Sequence, residues 1–226
     1  MIQFKNILLV VNFLIAAISF SMAQQIKSEQ PVNKYRAIYW GLDQGLSQAN
    51  VSAMLKDING FLWLQTEFGL NRFDGNTFKI YLHDSKKSGT IAGDHIYGLV
   101  EDSLHNIWIG TDKGLSRYDI KADSFANFSS IVIPFWATHD EIFCTEGKSV
   151  VTYNIHSFKK QVKAKLNPTD VIGMWYDDLY NIYDPATNSV WFLRGDYKAG
   201  TNGLIQLSLF NGKEQSYYFP DIKTGE

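Results

Sequence analysis

The chain has 226 residues, 45% of them hydrophobic and 15% aromatic, with 21 basic against 23 acidic side chains and a net charge of −2. Acids and bases are mixed along its length, which excludes the basic stripe that nucleic-acid binding requires. The one cysteine, Cys144, excludes an intrachain disulfide, so burial and sheet hydrogen bonds must hold the fold; beside Ile142 and Phe143 it reads as a small buried hydrophobe.

In chain order, the first element is a leader. Lys5 is followed by an apolar run from Ile7 to Phe20 and then by small residues, and Ser21-Met22-Ala23 fits the small-x-small rule for cleavage before Gln24. The run contains Asn12 and Ser19 and falls short of the roughly 20 apolar residues of a membrane span, so residues 1–23 read as a signal peptide. No second apolar run of spanning length follows, which places residues 24–226 in the periplasm as one domain with a sizeable core.

The next elements repeat. Residues 51–74 lie over 96–119 at a constant offset of 45, with seven identities in 24 positions: Asp57/Asp102, Trp63/Trp108, Thr66/Thr111, Gly69/Gly114, Leu70/Leu115, Arg72/Arg117 and Asp74/Asp119. Ordinary composition gives about one or two. A period of about 45 residues is that of a propeller blade. Each unit also reads as four short strands. In the first these are Val51–Lys56, a turn at 57–60, Phe61–Thr66 around Trp63, Leu70–Phe73 after the Gly69 break, a two-residue hairpin at Asp74-Gly75, and Thr77–Tyr81. The second unit follows the same scheme, with a longer turn at Asp119–Asp123 before Ser124–Phe128. Helical periodicity is missing over any useful length.

Two later stretches read as altered copies. Residues 142–155 lie over 107–120 at an offset of 35, pairing Phe143 with Trp108 and Tyr153 with Tyr118, with the glycine displaced and Thr152 in the arginine's place. Further on, Asp184 precedes Trp191 and Asn202-Gly203-Leu204 supplies a Gly-Leu step. Six extra residues between Trp191 and that step predict a loop at Gly195–Thr201. The fold class is therefore all-β, a β-propeller of about four blades of four antiparallel strands, roughly 45–90, 91–130, 131–165 and 166–220. Trp63 and Trp108 are expected to fill the space between blades. Arg72 and Arg117 are expected to hold Asp57 or Asp102. A ring complete at four blades would need a strand at Arg36–Leu42 to pair with the last one.

The units at 45–81 and 94–119 resemble the two-component regulator propeller repeat: a Gly-Leu-Ser opening (residues 45–47), an Asp, a turn, a Trp strand, a Thr, and a closing Gly-Leu-x-Arg-aromatic-Asp. The resemblance implies the periplasmic region of a bacterial hybrid two-component sensor, built of seven-bladed rings and followed by a membrane helix and a histidine kinase. Such sensors respond to oligosaccharides, sit in the inner membrane and work as homodimers. With no kinase motif in it, this chain is expected to be an N-terminal fragment of that plan. The alternatives are an exported propeller enzyme, such as a lyase, or an adhesion scaffold.

The sequence offers little for catalysis or cofactors. The five histidines form no zinc-binding spacing, and Asp57-x-Asn59-Gly60 lacks the later oxygen ligands of a calcium loop. Adjacent acids such as Glu101-Asp102 and Asp177-Asp178 point to opposite faces of a strand, so neither a catalytic residue nor a metal or cofactor is expected. Binding is the better prospect. Gln48, Asn50, Asp94 and His95 precede the innermost strands, where amides, a carboxylate and an imidazole suit a hydroxyl-rich ligand. Trp136, Trp175 and Tyr176 offer flat apolar faces for stacking, with inter-blade core as the competing role.

Overall fold

The computed structural model describes residues 37–166, 181–196 and 201–218. The leader, Arg36, Trp175 and Tyr176 lie outside these residues. The chain divides into two units, Met1–Tyr39 and Trp40–Glu226, and among the described residues every strand lies in the second.

After a single 3-10 turn at Leu42–Gln44, the second unit is strands throughout its described residues, in four sheets of four. The first sheet is β1 (Ala53–Lys56), β2 (Leu62–Gln65), β3 (Leu70–Phe73) and β4 (Phe78–Tyr81). The second is β5 (Ile96–Glu101), β6 (Ile107–Thr111), β7 (Gly114–Asp119) and β8 (Ser124–Phe128). The third is β9 (Ile133–Ala137), β10 (Glu141–Glu146), β11 (Ser149–Asn154) and β12 (Lys160–Lys165). The fourth is β13 (Asn181–Asp184), β14 (Ser189–Asp196), β15 (Thr201–Ser208) and β16 (Glu214–Tyr218). In every sheet the strands pair antiparallel in chain order, and the first strands β1, β5, β9 and β13 run beside one another from sheet to sheet. Each sheet is one propeller blade.

The repeated residues have specific work in each blade. Asp57 takes the turn amides of Asn59 and Phe61 on Oδ1, at 3.0 and 2.9 Å, and the indole Nε1–H of Trp63 on Oδ2 at 2.8 Å. Asp102 does the same with Leu104, Asn106 and Trp108 at 2.9, 2.9 and 2.7 Å. One buried carboxylate thus closes the first turn and satisfies an indole that would otherwise be buried without a partner. Thr66 and Thr111 each donate Oγ1–H to the carbonyl of the glycine three residues on, both at 2.7 Å, which closes the second turn. At Gly69 and Gly114 a Cβ would come within 2.8 Å of the Tyr81 carbonyl and 2.4 Å of the Phe128 carbonyl, at φ +92° and +150°, so only glycine fits where the third strand begins. The first turn also needs one left-handed residue, supplied by Gly60, His105 and Asn188 at the same place in blades 1, 2 and 4.

Between blades lie three apolar layers. Trp63 packs with Ile91, Ile96, Ile107, Ile109, Tyr118 and Phe125 of the next blade, and Trp108 with Val132, Ile142, Cys144, Val151 and Tyr153 of the one after. Phe143 packs against Val190, Phe192, Ile205 and Leu207. Both tryptophans are fully buried, as expected from the repeat. A blade is hydrophobic on both faces and cannot bury both alone, so neighbours complete it. The offset of 35 for the third blade holds: Phe143 pairs with Thr152 as Trp108 pairs with Arg117. Its displaced glycine, Gly147, makes the β10–β11 turn at φ +54°.

Four expectations are corrected. The two-residue loop after Phe73 is Gly75-Asn76, not Asp74-Gly75: the Asp74 amide donates to the Thr77 carbonyl at 3.2 Å, and the Asp74 carboxylate accepts the amides of Asn76 and Thr77 at 2.8 and 2.7 Å. The extra residues of the fourth blade lengthen the hairpin: Gly195↔Asn202 and Asp196↔Thr201 continue the ladder into both ends of the expected loop, whose residues 197–200 lie outside the described residues. Arg72 and Arg117 do not hold Asp57 or Asp102, whose oxygens are taken by turn amides and indole. Arg72 instead donates to the Tyr118 hydroxyl at 3.0 Å and lies 4.5 Å over the Phe61 ring, and Arg117 lies 4.6 Å over Phe158. Residues 37–41 form no strand, and Leu42 enters the 3-10 turn, which the Gln44 side chain closes by accepting the Gly41 amide at 2.8 Å.

Candidate functional site

The residues expected to bind ligand fall at separate places. Gln48 and Asp94 flank the Thr66–Gly69 turn, and both are engaged within the protein. Gln48 accepts the Glu67 amide at 3.0 Å and donates to the Glu67 carboxylate at 3.3 Å. Asp94 accepts the His83 amide on its carboxylate at 2.6 Å and the Gly69 amide on its carbonyl at 2.7 Å. The Gln48 bonds stay within blade 1, whereas the Gly69–Asp94 bond ties that blade's turn to the connection entering blade 2. Asn50 is exposed, and the His95 ring rests on Tyr97 with centroids 4.6 Å apart.

Trp136 stands apart from the buried tryptophans. It lies on β9, the first strand of blade 3, and remains 40% exposed. Its ring is 6.0 Å from Tyr183 on β13, the first strand of blade 4, and Tyr183 in turn stacks on Phe143 at 5.0 Å. Two aromatic rings thus stand side by side on neighbouring first strands, one braced by the core and the other open. Sequence reasoning misses Tyr183; its place one residue before the repeat's Asp184 is the available signal.

A second concave place has no signature in the sequence at all. A cleft of about 330 Å3 opens where the first turns of three blades meet, lined by Ile58, Glu101, Ser103, His105, Thr138 and His139. Glu101 takes the Ile58 amide at 3.3 Å and His105 Nδ1 at 3.0 Å, while Ser103 donates to the His139 carbonyl at 2.6 Å. Nearby, Asp140 sits between His139 and His156, and the His139 imidazole holds its carboxyl below the usual range. Among the described residues no group of His, Cys, Asp and Glu is arranged to hold a metal ion. Burial pushes the Cys144 thiol far up, so it is unreactive as a nucleophile.

A polar network fastens blades 1 and 2 at their outer strands. The Tyr81 and Tyr118 hydroxyls lie 3.0 Å apart and donate to Asp123 Oδ1 at 3.0 and 2.6 Å, while Lys79 pairs with the same carboxylate. Asp123 reaches them from a left-handed turn position at φ +49°. The Lys79 ammonium and the Tyr118 hydroxyl hold its carboxyl down at about 2, and burial raises both tyrosines. This is a structural clasp.

The architecture defines a class: a repeat protein of propeller blades with an exposed aromatic on its first strands. Residues 90–113, within blade 2, match the model of the two component regulator propeller family. A stretch of 48 residues, 21% of the chain, is 48% identical to histidine kinase P4 of Formosa agariphila and spans 4% of that protein. Two solved structures from B. thetaiotaomicron share the fold. One, described as the extracellular domain of a hybrid two component system, has a TM-score of 0.63 at 23% identity over 80% of this chain and 26% of its own. The other, from a one component system, has a TM-score of 0.60 at 17% identity over 85% of this chain and 28% of its own. The chain thus spans about a quarter of the length of each. Among the described residues no helix is long and apolar enough to cross a membrane.

Proposed function

We propose that this chain is the ligand-binding part of a two-component sensor, exported to the periplasm, which takes an oligosaccharide and passes the event to a histidine kinase. The observation that carries the reading is the half-exposed Trp136 beside Tyr183, on neighbouring first strands of a propeller whose residues 90–113 match the two component regulator propeller family. Trp63 and Trp108, which face the next blade, are fully buried, whereas Trp136 is 40% exposed and offers a ligand a flat apolar face beside Tyr183. A sugar ring presents an apolar C–H face to such a ring and hydroxyls to the polar groups around it. The extracellular domains of the two similar structures and the kinase relative support the signalling role. The reading assigns no catalysis to the chain.

The test is calorimetric titration of the full chain with a panel of neutral and acidic oligosaccharides, repeated on Trp136→Ala. One glycan class is expected to bind, with affinity falling at least about tenfold in the variant while the melting temperature holds. Absence of binding across the panel, or equal binding by Trp136→Ala, would overturn the reading.

A further inference from the structure

Blades 1 and 2 keep their correspondence upstream of the first strand. The Ser47 amide donates to Asn71 Oδ1 and the Ala92 amide to Ser116 Oγ, both at 3.0 Å, and donors and acceptors alike stand 45 residues apart. The segments entering the two blades therefore match residue for residue. In blade 1, Gln48 serves the turn between the second and third strands. Its carboxamide accepts the Glu67 amide at 3.0 Å and donates to the Glu67 carboxylate at 3.3 Å. In blade 2 the same two places hold Gly93 and Asp112.

The exchange leaves a carboxylate without a donor. The Asp112 amide turns to the His95 carbonyl at 3.1 Å, and a Cβ added at Gly93 would collide with Asp112 Oδ1. That oxygen is buried and has no hydrogen-bond partner. Among the described residues none donates to the Asp112 carboxylate or forms an ion pair with it. The residue as a whole is half-buried, so a small group can reach it from solvent. The 94–96 segment that Asp112 leans on is bonded on its other side to the turn of blade 1: the Gly69 amide donates to the Asp94 carbonyl at 2.7 Å and the Ile96 amide to the Thr66 carbonyl at 3.2 Å. Phe68, at the tip of that turn, and the His95–Tyr97 ring pair thus stand at the same end of the two blades.

An unbonded carboxylate in a half-buried place gains most from a charged donor. No group of His, Cys, Asp and Glu among the described residues is arranged to hold a metal ion, so the donor that fits is an ammonium, which also lies well against aromatic faces. We propose that Asp112 binds the primary ammonium group of a small ligand, at the place where Gln48 donates in blade 1, with Phe68 and His95 beside it. An amino sugar or an alkylamine carries that group. The site belongs to the second-turn end of the blades, whereas Trp136 stands next to the first turn of blade 3, and neither depends on the other.

Amide spectra of the 15N-labelled full chain, titrated at slightly acid pH with glucosamine, n-butylamine and glucose, test it. Saturable shifts of the Gly93, His95 and Asp112 amides are expected with an amine and not with glucose. Both amines binding makes the site a general one for ammonium; glucosamine alone makes it an amino-sugar site. Asp112→Asn should weaken amine binding at least about tenfold while the melting temperature holds, because the carboxylate bonds nothing in the fold. Gly93→Gln supplies the carboxamide of blade 1 once the carboxylate swings aside, and should abolish binding; Asp112→Asn decides the matter should that variant not fold. Equal shifts with glucose, no shift of those three amides with either amine, or unchanged binding by Asp112→Asn would overturn the proposal. A large fall in the melting temperature of Asp112→Asn would also overturn it, by showing that the carboxylate already has a partner.

Discussion

Asp102→Asn keeps the size and shape of a side chain that is 3% exposed, and the structure nevertheless makes it costly. Oδ1 accepts the amides of Leu104 and Asn106, and Oδ2 accepts the Trp108 indole at 2.7 Å and Asn106 Nδ2 at 3.0 Å. Whichever way the new amide turns, its NH2 meets N–H donors. A bond from a buried donor to a charged acceptor contributes about 1.5–3 kcal/mol, and an indole left without a partner costs a similar, overlapping amount. The expected loss is therefore about 3 kcal/mol. Urea unfolding followed by tryptophan fluorescence, with linear extrapolation, measures it. Asp119→Asn is the control: that carboxylate also closes a turn, at 2.8 and 3.1 Å to Lys121 and Ala122, but it serves no buried indole, and an asparagine oxygen can still accept both amides. The control should cost less than about 1 kcal/mol. If Asp102→Asn falls within about 1 kcal/mol of the wild type, the repeat's aspartate is only a turn residue and its bond to the indole contributes nothing.

Gly114→Ala should destabilise by at least about 2 kcal/mol, because it combines a φ of +150° with a Cβ placed 2.4 Å from the Phe128 carbonyl; Gly60→Ala, with open space around it, should cost less, and thermal melts compare the two. The Asp123 carboxyl, held at about 2 against an ordinary 3.8, contributes stability that is complete above about pH 4 and is lost as the pH falls through 2. The gap in melting temperature between wild type and Asp123→Asn should therefore close over that window, and a gap unchanged from about pH 5 to 2 would contradict the clasp. Cys144 should resist a thiol reagent in the folded chain and react at once in urea, since burial both covers the sulfur and disfavours its thiolate.

The repeat makes the blade legible because its residues act locally. Asp57 reaches Trp63 six positions away and Thr66 reaches Gly69 three away, so both bonds recur wherever the spacing recurs. Blade 3 keeps the register without the aspartate because Phe143 carries no N–H that needs an acceptor. The partners of Arg72 and Arg117 escape the sequence for the opposite reason: Tyr118 lies 46 residues from Arg72, on the neighbouring blade, and no spacing within one repeat shows it. The longer hairpin of blade 4 is visible as six extra residues, but a count does not tell ladder from loop. For the site, Trp136 is legible as an aromatic in a poor repeat, whereas its companion Tyr183 and the cleft at Glu101 and His105 arise from contacts between blades.

The whole architecture stands on residues 51–81 and 96–128 being the same four-stranded blade, each turning a carboxylate-anchored tryptophan toward the blade that follows it. Cross-strand NOEs on the deuterated, selectively labelled chain decide whether they are. Backbone contacts are predicted for Trp63 with Arg72 and Leu55, and for Trp108 with Arg117 and Val100, together with indole contacts from Trp63 to Tyr118 and from Trp108 to Tyr153. Different cross-strand partners for the two tryptophans, or indole contacts confined to their own sheets, would contradict it.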